Sequence, residues 1–364
     1  MREINVVVLG AGQIGQAIVQ LCEKLQATLP DVVLRVHSWD IDLTKTRGNF
    51  GAAVDFDTID TVALADRLRL VKALFVFNAL PFNLNERVAH ATASAGASYF
   101  DFTEDDVMAD KVQKIYAQHP YRFCAVKCGL APGFINYIGH SLARKIDTPK
   151  SLMISVGALP RHVNVTNLRD NYNLSWSVDG LVNEYIRPCR VRINGVTQDI
   201  SALTGLEQVI ADGIQYDAAY TSGGVGSLIR ELKIPNIAYK TLRYPGHYTY
   251  VKEVCKRHNN QFEPIKQEFL KVFPYNKNDV IAVYAECKGV MTDGAYHRET
   301  YAGHFVGADG LSAIQTTTAG SGVAVFEMIL TGKLAPGIIN HADISLDAFT
   351  STGMFKHAYI KQTT

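Results

Sequence analysis

Ile4-Asn5-Val6-Val7-Val8-Leu9-Gly10-Ala11-Gly12-Gln13-Ile14-Gly15 is the stretch from which the fold is read. Ile4 to Leu9 is apolar almost without a break, as a parallel strand buried on both faces requires. It runs straight into Gly10-Ala11-Gly12-Gln13-Ile14-Gly15, which has the spacing G-x-G-x-x-G. Beyond it, Ile14, Ala17, Ile18, Leu21, Cys22 and Leu25 recur at three- and four-residue steps and mark one helix face. Alone the motif is weak; between a strand and a helix it is the arrangement that binds a dinucleotide. Gly10 permits the tight turn, Gly12 lets the backbone approach a pyrophosphate, and Gly15 lets helix and strand pack closely. Gln13 and Ile14 open the helix, whose free N–H groups and dipole favour the anion.

Asp40 closes the next strand-like run, Val32 to Trp39, and stands 25 positions after Gly15. A carboxylate there accepts hydrogen bonds from both adenosine ribose hydroxyls and repels a 2′-phosphate, so NAD is expected. Asp42 is a second candidate for that role. Arg47 is able to pair with a 2′-phosphate, which keeps NADP possible. Asn78-Ala79-Leu80-Pro81 ends a further strand, Ala73 to Asn78, at the same sheet edge. Ligands bind outside the carboxyl ends of such strands. The loop is therefore read either as a neighbour of the nicotinamide ribose or as an ordinary strand-to-helix turn.

Further outward, Ser98 to Phe102 and Phe123 to Lys127 also read as strands. Asn85 to Ala95 reads as a helix closed by Gly96. The alternation predicts an α/β fold, a Rossmann-type doubly wound parallel sheet with right-handed crossovers. The middle of the chain differs. Asn194-Gly195 sits between short strand-like arms in Val191 to Ile200, a two-residue hairpin signal. Asp279 to Met291 and Tyr301 to Val306 are strand-like, and Val323 to Leu330 is an apolar helical run closed by Gly332. The expected organisation is a dinucleotide-binding domain at 1–130 and an antiparallel α+β domain at 131–320. A C-terminal helix and tail at 321–364 would return to the first domain.

With 364 residues, two domains are the natural prior. Lys+Arg of 36 against Asp+Glu of 35 leaves no charge excess to drive nucleic-acid or anionic-membrane binding. No apolar run approaches the roughly 18 residues of a membrane span, and no small-residue cleavage pattern follows the N-terminus. The six cysteines are too sparse for a disulfide scaffold, so a reducing, cytoplasmic setting is expected. Cys124 and Cys128 lack a second ligand pair, no H-E-x-x-H occurs, and no G-x-S-x-G frames a serine nucleophile; neither a metal site nor a serine hydrolase is expected.

Several segments resemble the saccharopine dehydrogenase family, especially its lysine 6-dehydrogenase-like members. They are the glycine loop, Asn78-Ala79-Leu80-Pro81, Tyr99-Phe100-Asp101-Phe102-Thr103-Glu104-Asp105 and Cys128-Gly129-Leu130-Ala131-Pro132-Gly133. Later come Leu174 to Leu181, Asn183-Glu184-Tyr185, Thr221-Ser222-Gly223-Gly224 and Tyr239-Lys240-Thr241-Leu242-Arg243-Tyr244-Pro245-Gly246-His247. The resemblance implies a Rossmann domain, an inserted substrate domain that often carries a homodimer contact, and NAD(P)-dependent oxidation or reductive amination at a C–N bond of a lysine-derived amino acid. In saccharopine-forming members the glycine–proline loop typically carries Asp where this chain has Ala131; the lysine 6-dehydrogenase-like pattern tolerates Ala131.

Such chemistry needs a proton acceptor whose pKa lies near the working pH, while the cofactor carries the hydride. His247 is the first candidate, because imidazole titrates in that range and Pro245-Gly246 suggests an exposed turn. Lys240 is a second candidate and Glu104 a third. Asp105 is read as a substrate-amine ligand or as a helix N-cap. Arg243 is chosen for a substrate carboxylate because its planar fork pairs bidentately, with Arg187 and Arg190 behind it. Trp176 and Tyr244 are candidate pocket walls, and Asp179 and Glu184 candidate partners for a side-chain ammonium. The rival function is a non-catalytic NAD(H)-binding sensor or scaffold, which would bind cofactor and turn over no amino acid.

Overall fold

The computed structural model describes residues 2–47, 50–162 and 171–362. The strands of the first half are β1 (Arg2–Leu9), β2 (Val32–Asp40), β3 (Phe50–Ala53), β4 (Ala73–Asn78), β5 (Ser98–Asp101), β6 (Phe123–Ala125), β7 (Thr148–Pro160), β8 (Cys189–Ile193) and β9 (Val196–Ile200). The second half supplies β10 (Glu207–Ala211), β11 (Ile214–Tyr220), β12 (Asn236–Arg243), β13 (Asp279–Val290), β14 (Tyr296–Val306), β15 (Gly337–Ile338) and β16 (Ile360–Lys361). The chain divides into two compact units, residues 1–134 with 318–358, and residues 135–317 with 359–364.

The first unit is built on a seven-stranded sheet in the order β15-β6-β5-β4-β1-β2-β3. Every pairing in it is parallel. Its helices include α1 (Gln13–Gln26), α2 (Thr61–Leu70), α3 (Asn85–Ser94) and α4 (Asp106–Tyr116). The helix α1 buries Ala17, Ile18, Leu21, Cys22 and Leu25, the face read from the spacing. Strand reversal from β1 to β4 in the sheet order places a switch point at the carboxyl end of β1, where the glycine loop lies. Phe77 and Phe100 stack at 4.5 Å on the sheet, and Phe75 meets Phe326 edge-on at 4.8 Å.

The second unit holds α5 (Phe134–Arg144, from its second residue on), α6 (Val178–Ile186), α7 (Leu228–Glu231), α8 (His247–Arg257) and α9 (Phe262–Val272). Its nine-stranded sheet runs β10-β11-β12-β7-β13-β14-β16, with β8 paired to β12 and β9. The sheet is mixed, not purely antiparallel as expected, because β12 lies parallel to β7. The connection from β7 to β12 is long enough to re-enter the sheet in the same direction. Asn194 and Gly195 both take positive φ, 50° and 82°, as a two-residue I′ turn between β8 and β9 requires. Helices α6, α8 and α9 pack on one sheet face through Leu181, Tyr185, Tyr248, Val251, Ile265 and Phe269. The other face buries Leu242, Tyr216, Ala218 and Val280.

Past β14, α10 (Ala313–Leu330) carries the chain from the second unit into the first, where α11 (Leu346–Thr350) and α12 (Gly353–Ala358) follow. The last described residues do not stay with the Rossmann-type unit, as the sequence reading had them; β16 pairs with β14 in the second unit.

Candidate functional site

In the first unit, the ends of β2, β1 and β4 carry the expected cofactor residues in one row set by the sheet order, and the end of β5 beside them carries the acid–base and substrate candidates Glu104 and Asp105. Gly10 adopts φ +92°, and a methyl there would lie 3.0 Å from the Ala79 carbonyl oxygen. A methyl on Gly15 would overlap the Gly10 carbonyl, so helix and turn touch through bare backbone. Gly12 is different: it is exposed and a methyl there meets nothing within 4 Å. Its missing side chain is not explained by packing within the protein. Gly12 is also the N-cap of α1 and offers no side chain to the first-turn N–H groups, which Gln13 and Ile14 begin.

Asp40 is held at this turn. One carboxylate oxygen accepts from the Ala11 N–H at 2.6 Å, the other from the Asp42 N–H at 2.9 Å. Asp42 turns away and caps the short turn at Leu43–Lys45, accepting from Thr44. Arg47 donates to Gln20 at 3.2 Å. Ala79 N–H donates to the Leu9 carbonyl at 2.9 Å, fixing the Asn78–Pro81 stretch beside the glycine turn; Leu80 is half-buried and Pro81 exposed.

Asn78 leads into a buried polar network that the sequence reading did not single out. Its amide nitrogen donates to Asn85 Oδ1 at 2.8 Å and to the Tyr99 hydroxyl at 3.0 Å. Tyr99 and Asn85 in turn donate to one oxygen of Asp101, each at 3.1 Å. The other oxygen accepts from the backbone N–H groups of Thr103 and Lys127. Burial pushes the Asp101 carboxyl above its usual range, and the backbone donors from Lys127 and Thr103 pull against it. Four donors on a single carboxylate lock the ends of β4 and β5 and the chain beyond β6 into one frame. Just past β5, Glu104 is exposed, whereas Asp105 caps α4 by accepting from the Met108 N–H at 2.9 Å.

The candidates in the second unit fall on two faces of β12. Arg243 and Thr241 point to the helix-covered face, and Lys240 and Leu242 to the other. Lys240 Nζ donates to the Gly205 carbonyl and to Glu207, each at 2.6 Å, and lies 4.6 Å from the Tyr220 ring. Tyr244 packs on Tyr216 on that face and donates to the Pro160 carbonyl. Lys240 and Tyr244 are therefore not neighbours of the Arg243 cluster, although a single short segment supplies all three.

Arg243 is 1% exposed and held internally, not open to a substrate carboxylate as the sequence reading had it. It donates to Glu184 at 3.0 Å, to the Tyr185 oxygen at 2.8 Å and to the Leu242 carbonyl, and lies over the Tyr172 ring. Glu184, read as an ammonium ligand, is its buried counter-ion; burial pushes that carboxyl up, and Arg243 and Thr241 oppose the shift. Trp176 donates to the Tyr172 hydroxyl at 3.0 Å. Asp179 pairs with Lys266, and Arg190 with Asp199, at exposed positions; Arg187 is the exposed C-cap of α6.

His247, the first base candidate, is fully buried at the start of α8, not on an exposed turn, between Tyr172 and Phe273. The Tyr185 hydroxyl lies 3.0 Å from His247 Nε2 and also accepts from Arg243. Because a hydroxyl has two lone pairs besides its hydrogen, this contact suits either ring tautomer. Nδ1 is a buried atom without a protein partner among the described residues. Burial, then the Arg243 charge, hold the imidazole well below its usual pKa. Enclosed by Tyr172, Tyr185 and Phe273, this histidine is not an open base.

Among the described residues no group of three His, Cys, Asp or Glu could hold a metal ion, and no helix is long and apolar enough to cross a membrane. Cys124 and Cys128 are buried, and Cys128 donates to the Asp101 carbonyl.

Residues 6–122 match the saccharopine dehydrogenase NADP binding domain, and residues 129–350 the saccharopine dehydrogenase C-terminal domain. Among solved structures, the fold is similar to apo histidine-tagged saccharopine dehydrogenase (L-Glu forming) from Saccharomyces cerevisiae. That match has 14% identity, a TM-score of 0.77, and covers 99% of each chain. More distant are a meso-dapdh mutant with DAP from Clostridium tetani E88 (11% identity, TM-score 0.47, 96% of this chain and 97% of that one) and a myo-inositol dehydrogenase from Corynebacterium glutamicum ATCC 13032 (11%, 0.44, 96% and 95%). The bare Gly12 backbone, the uncapped start of α1 and the Asp40 carboxylate at the end of β2 fit a nicotinamide dinucleotide. Two domain types matched in order across the chain lead to one conclusion: the protein belongs to the saccharopine dehydrogenase family.

Proposed function

We propose that the protein is an NAD(P)-dependent oxidoreductase that works at a C–N bond of a lysine-derived amino acid, with NAD as the preferred cofactor. The observation that carries the cofactor preference is Asp40, fixed by the Ala11 and Asp42 N–H groups at the end of β2. A charge there opposes a 2′-phosphate. The Gly10–Gly15 turn would hold the pyrophosphate, and Asn78 to Pro81 would border the nicotinamide ribose. When bound, the nicotinamide supplies hydride exchange at the amine carbon. The family match supports an amine donor, and the near-zero net charge suits a small-molecule substrate better than a nucleic acid or membrane. We assign proton acceptance to Glu104, which is exposed beyond the carboxyl end of β5 in the dinucleotide-binding unit, whereas His247 and Lys240 belong to the second unit. The protein is taken to act as a homodimer in a reducing compartment, which the six unpaired cysteines suit.

The test is a 340 nm screen of the purified protein. NAD or NADP would be offered with lysine, saccharopine, ornithine and related diamino acids. The reduced cofactors would be offered with 2-oxoglutarate, or with an aldehyde plus an amine. Turnover with one pairing supports the reading and fixes direction and cofactor together. Tight NADH binding with silence throughout would favour a non-catalytic NAD(H)-binding protein, and light scattering settles the dimer.

A further inference from the structure

Lys127 lies two residues beyond β6 and was not among the sequence candidates. It takes φ +57°, a left-handed conformation that costs a lysine about 1 kcal/mol or more and that glycine adopts freely. The surroundings hold it there from both sides. Its N–H donates to Asp101 at 2.9 Å, and its carbonyl accepts from His341 Nε2 at 3.1 Å. The ammonium end is buried, the side chain being 6% exposed, and pairs with Asp106 in the first turn of α4, a side chain that is 58% exposed. Among the described residues Asp106 is the ammonium's hydrogen-bond partner. An ammonium has three donors, so this one retains two beyond that pair. Strain of this kind persists where a side chain must be aimed at a particular place. Here the place is the carboxyl edge of the parallel sheet, where ligands of such sheets bind.

We infer that Lys127 and Asp106 form the receptor for the zwitterionic head of the substrate, Lys127 taking the carboxylate and Asp106 the adjacent ammonium. The inference rests on the amino-acid dehydrogenase reading and names the groups that recognise the substrate class. Arg243, the residue expected to bind a carboxylate, is enclosed with Glu184 and does not fill the role. A buried pair of one cation and one partly exposed anion matches the two charges of an α-amino acid, which sit side by side. An uncharged or purely cationic amine would leave Lys127 unanswered.

The decisive variant is Lys127→Gly. It relieves the left-handed strain and leaves only an exposed partner behind, so the melting temperature should hold or rise. Wild type and variant, each saturated with NADH, would be titrated by calorimetry with saccharopine, with L-lysine and with cadaverine, the carboxylate-free counterpart of lysine. Turnover would be followed in parallel. The expected result is a loss of about tenfold or more in affinity and in KM for the carboxylated ligands, the scale of one charged hydrogen bond. Binding of cadaverine and of NADH should change less than about twofold, within ordinary scatter of such measurements. Lys127→Arg should recover part of the loss, and Lys127→Asn, which also tolerates left-handed backbone, should repeat it if the glycine variant folds poorly. Equal losses for cadaverine and the carboxylated ligands, or no loss at all, overturn the inference while wild-type turnover leaves the enzyme reading standing. Carboxylated ligands that bind without turnover in wild type sink the enzyme reading and still test Lys127 through affinity. A wild type that neither binds nor turns over these ligands refutes both.

Discussion

Two glycines of one motif should fail in opposite ways. Gly12→Val puts a side chain into open space, so the melting temperature should barely move. NADH affinity should nevertheless fall at least about tenfold, since the pyrophosphate would meet a side chain in place of bare backbone. Gly15→Ala drives a methyl into the Gly10 carbonyl and should unfold or strongly destabilise the first unit, which a urea melt would register. If Gly12→Val bound NADH normally, the loop would be a structural turn. Asp40→Asn keeps an acceptor for Ala11 and removes the charge. The ratio of kcat/KM for NAD over NADP should drop, and an unchanged ratio would move the selectivity elsewhere. These positions were legible in the sequence because a tight turn, a close approach and a strand-end acid each demand one residue type at one place. Lys127 and Asp101 were not legible. Their roles arise where β4, β5 and the chain after β6 converge, and a left-handed lysine leaves no compositional trace.

At the scale of elements, the strand β12 separates what the sequence joined. Residues 240, 241, 242 and 243 are consecutive, but alternation in a strand sends neighbours to opposite faces. Lys240 therefore meets Glu207 and Tyr220, and Arg243 meets Glu184 and Tyr185. The sequence reading takes this segment from its resemblance to the saccharopine dehydrogenase family and assigns it no secondary structure, so it groups Lys240, Arg243, Tyr244 and His247. Arg243→Leu would strand the buried Glu184 carboxylate and should cost about 3–5 kcal/mol in a urea titration, the loss typical of a broken buried pair. A cost under about 1 kcal/mol would mean that the site is hydrated, since exposed pairs contribute only that much. Asp105 offers a cleaner separation of roles. Asp105→Asn keeps the cap on α4, whereas Asp105→Ala should lower stability by about 1 kcal/mol. A loss of activity in the Asn variant at unchanged stability would restore Asp105 to substrate binding. The hairpin at Asn194-Gly195 was legible for the reason that β12 was not: its two turn residues fix the register locally, while β12 gains its place from partners far away in sequence.

For the molecule as a whole, pH offers a global readout of the buried histidine. In the folded chain His247 stays neutral well below its usual pKa. The unfolded chain takes up that proton near pH 6.5, so it binds more protons below that point and stability falls as pH drops. Above pH 6.5 the contribution is fully present. The slope attributable to one such group approaches about 1.4 kcal/mol per pH unit. Wild type should therefore lose more stability between pH 7.5 and 5.5 (values chosen to bracket the imidazole range) than His247→Asn does, by urea midpoint. Parallel losses in the two proteins would show that the ring is protonated in the folded state.

The division of the chain carries a consequence for its synthesis. The first unit is not continuous: residues 1–134 are completed by residues 318–358. Until those later residues leave the ribosome, β6 lacks its neighbour β15, and Phe75, Phe77 and Phe100 lack the Phe326 ring that packs against them. The N-terminal third of the nascent chain thus waits, with an open sheet edge and bare aromatic surface, while residues 135–317 are translated. At about 5–20 residues per second, that interval lasts on the order of ten seconds or more. Such a chain needs shelter from its own kind during elongation, and a message cut short before codon 318 would yield a product prone to aggregate in place of a half-active domain.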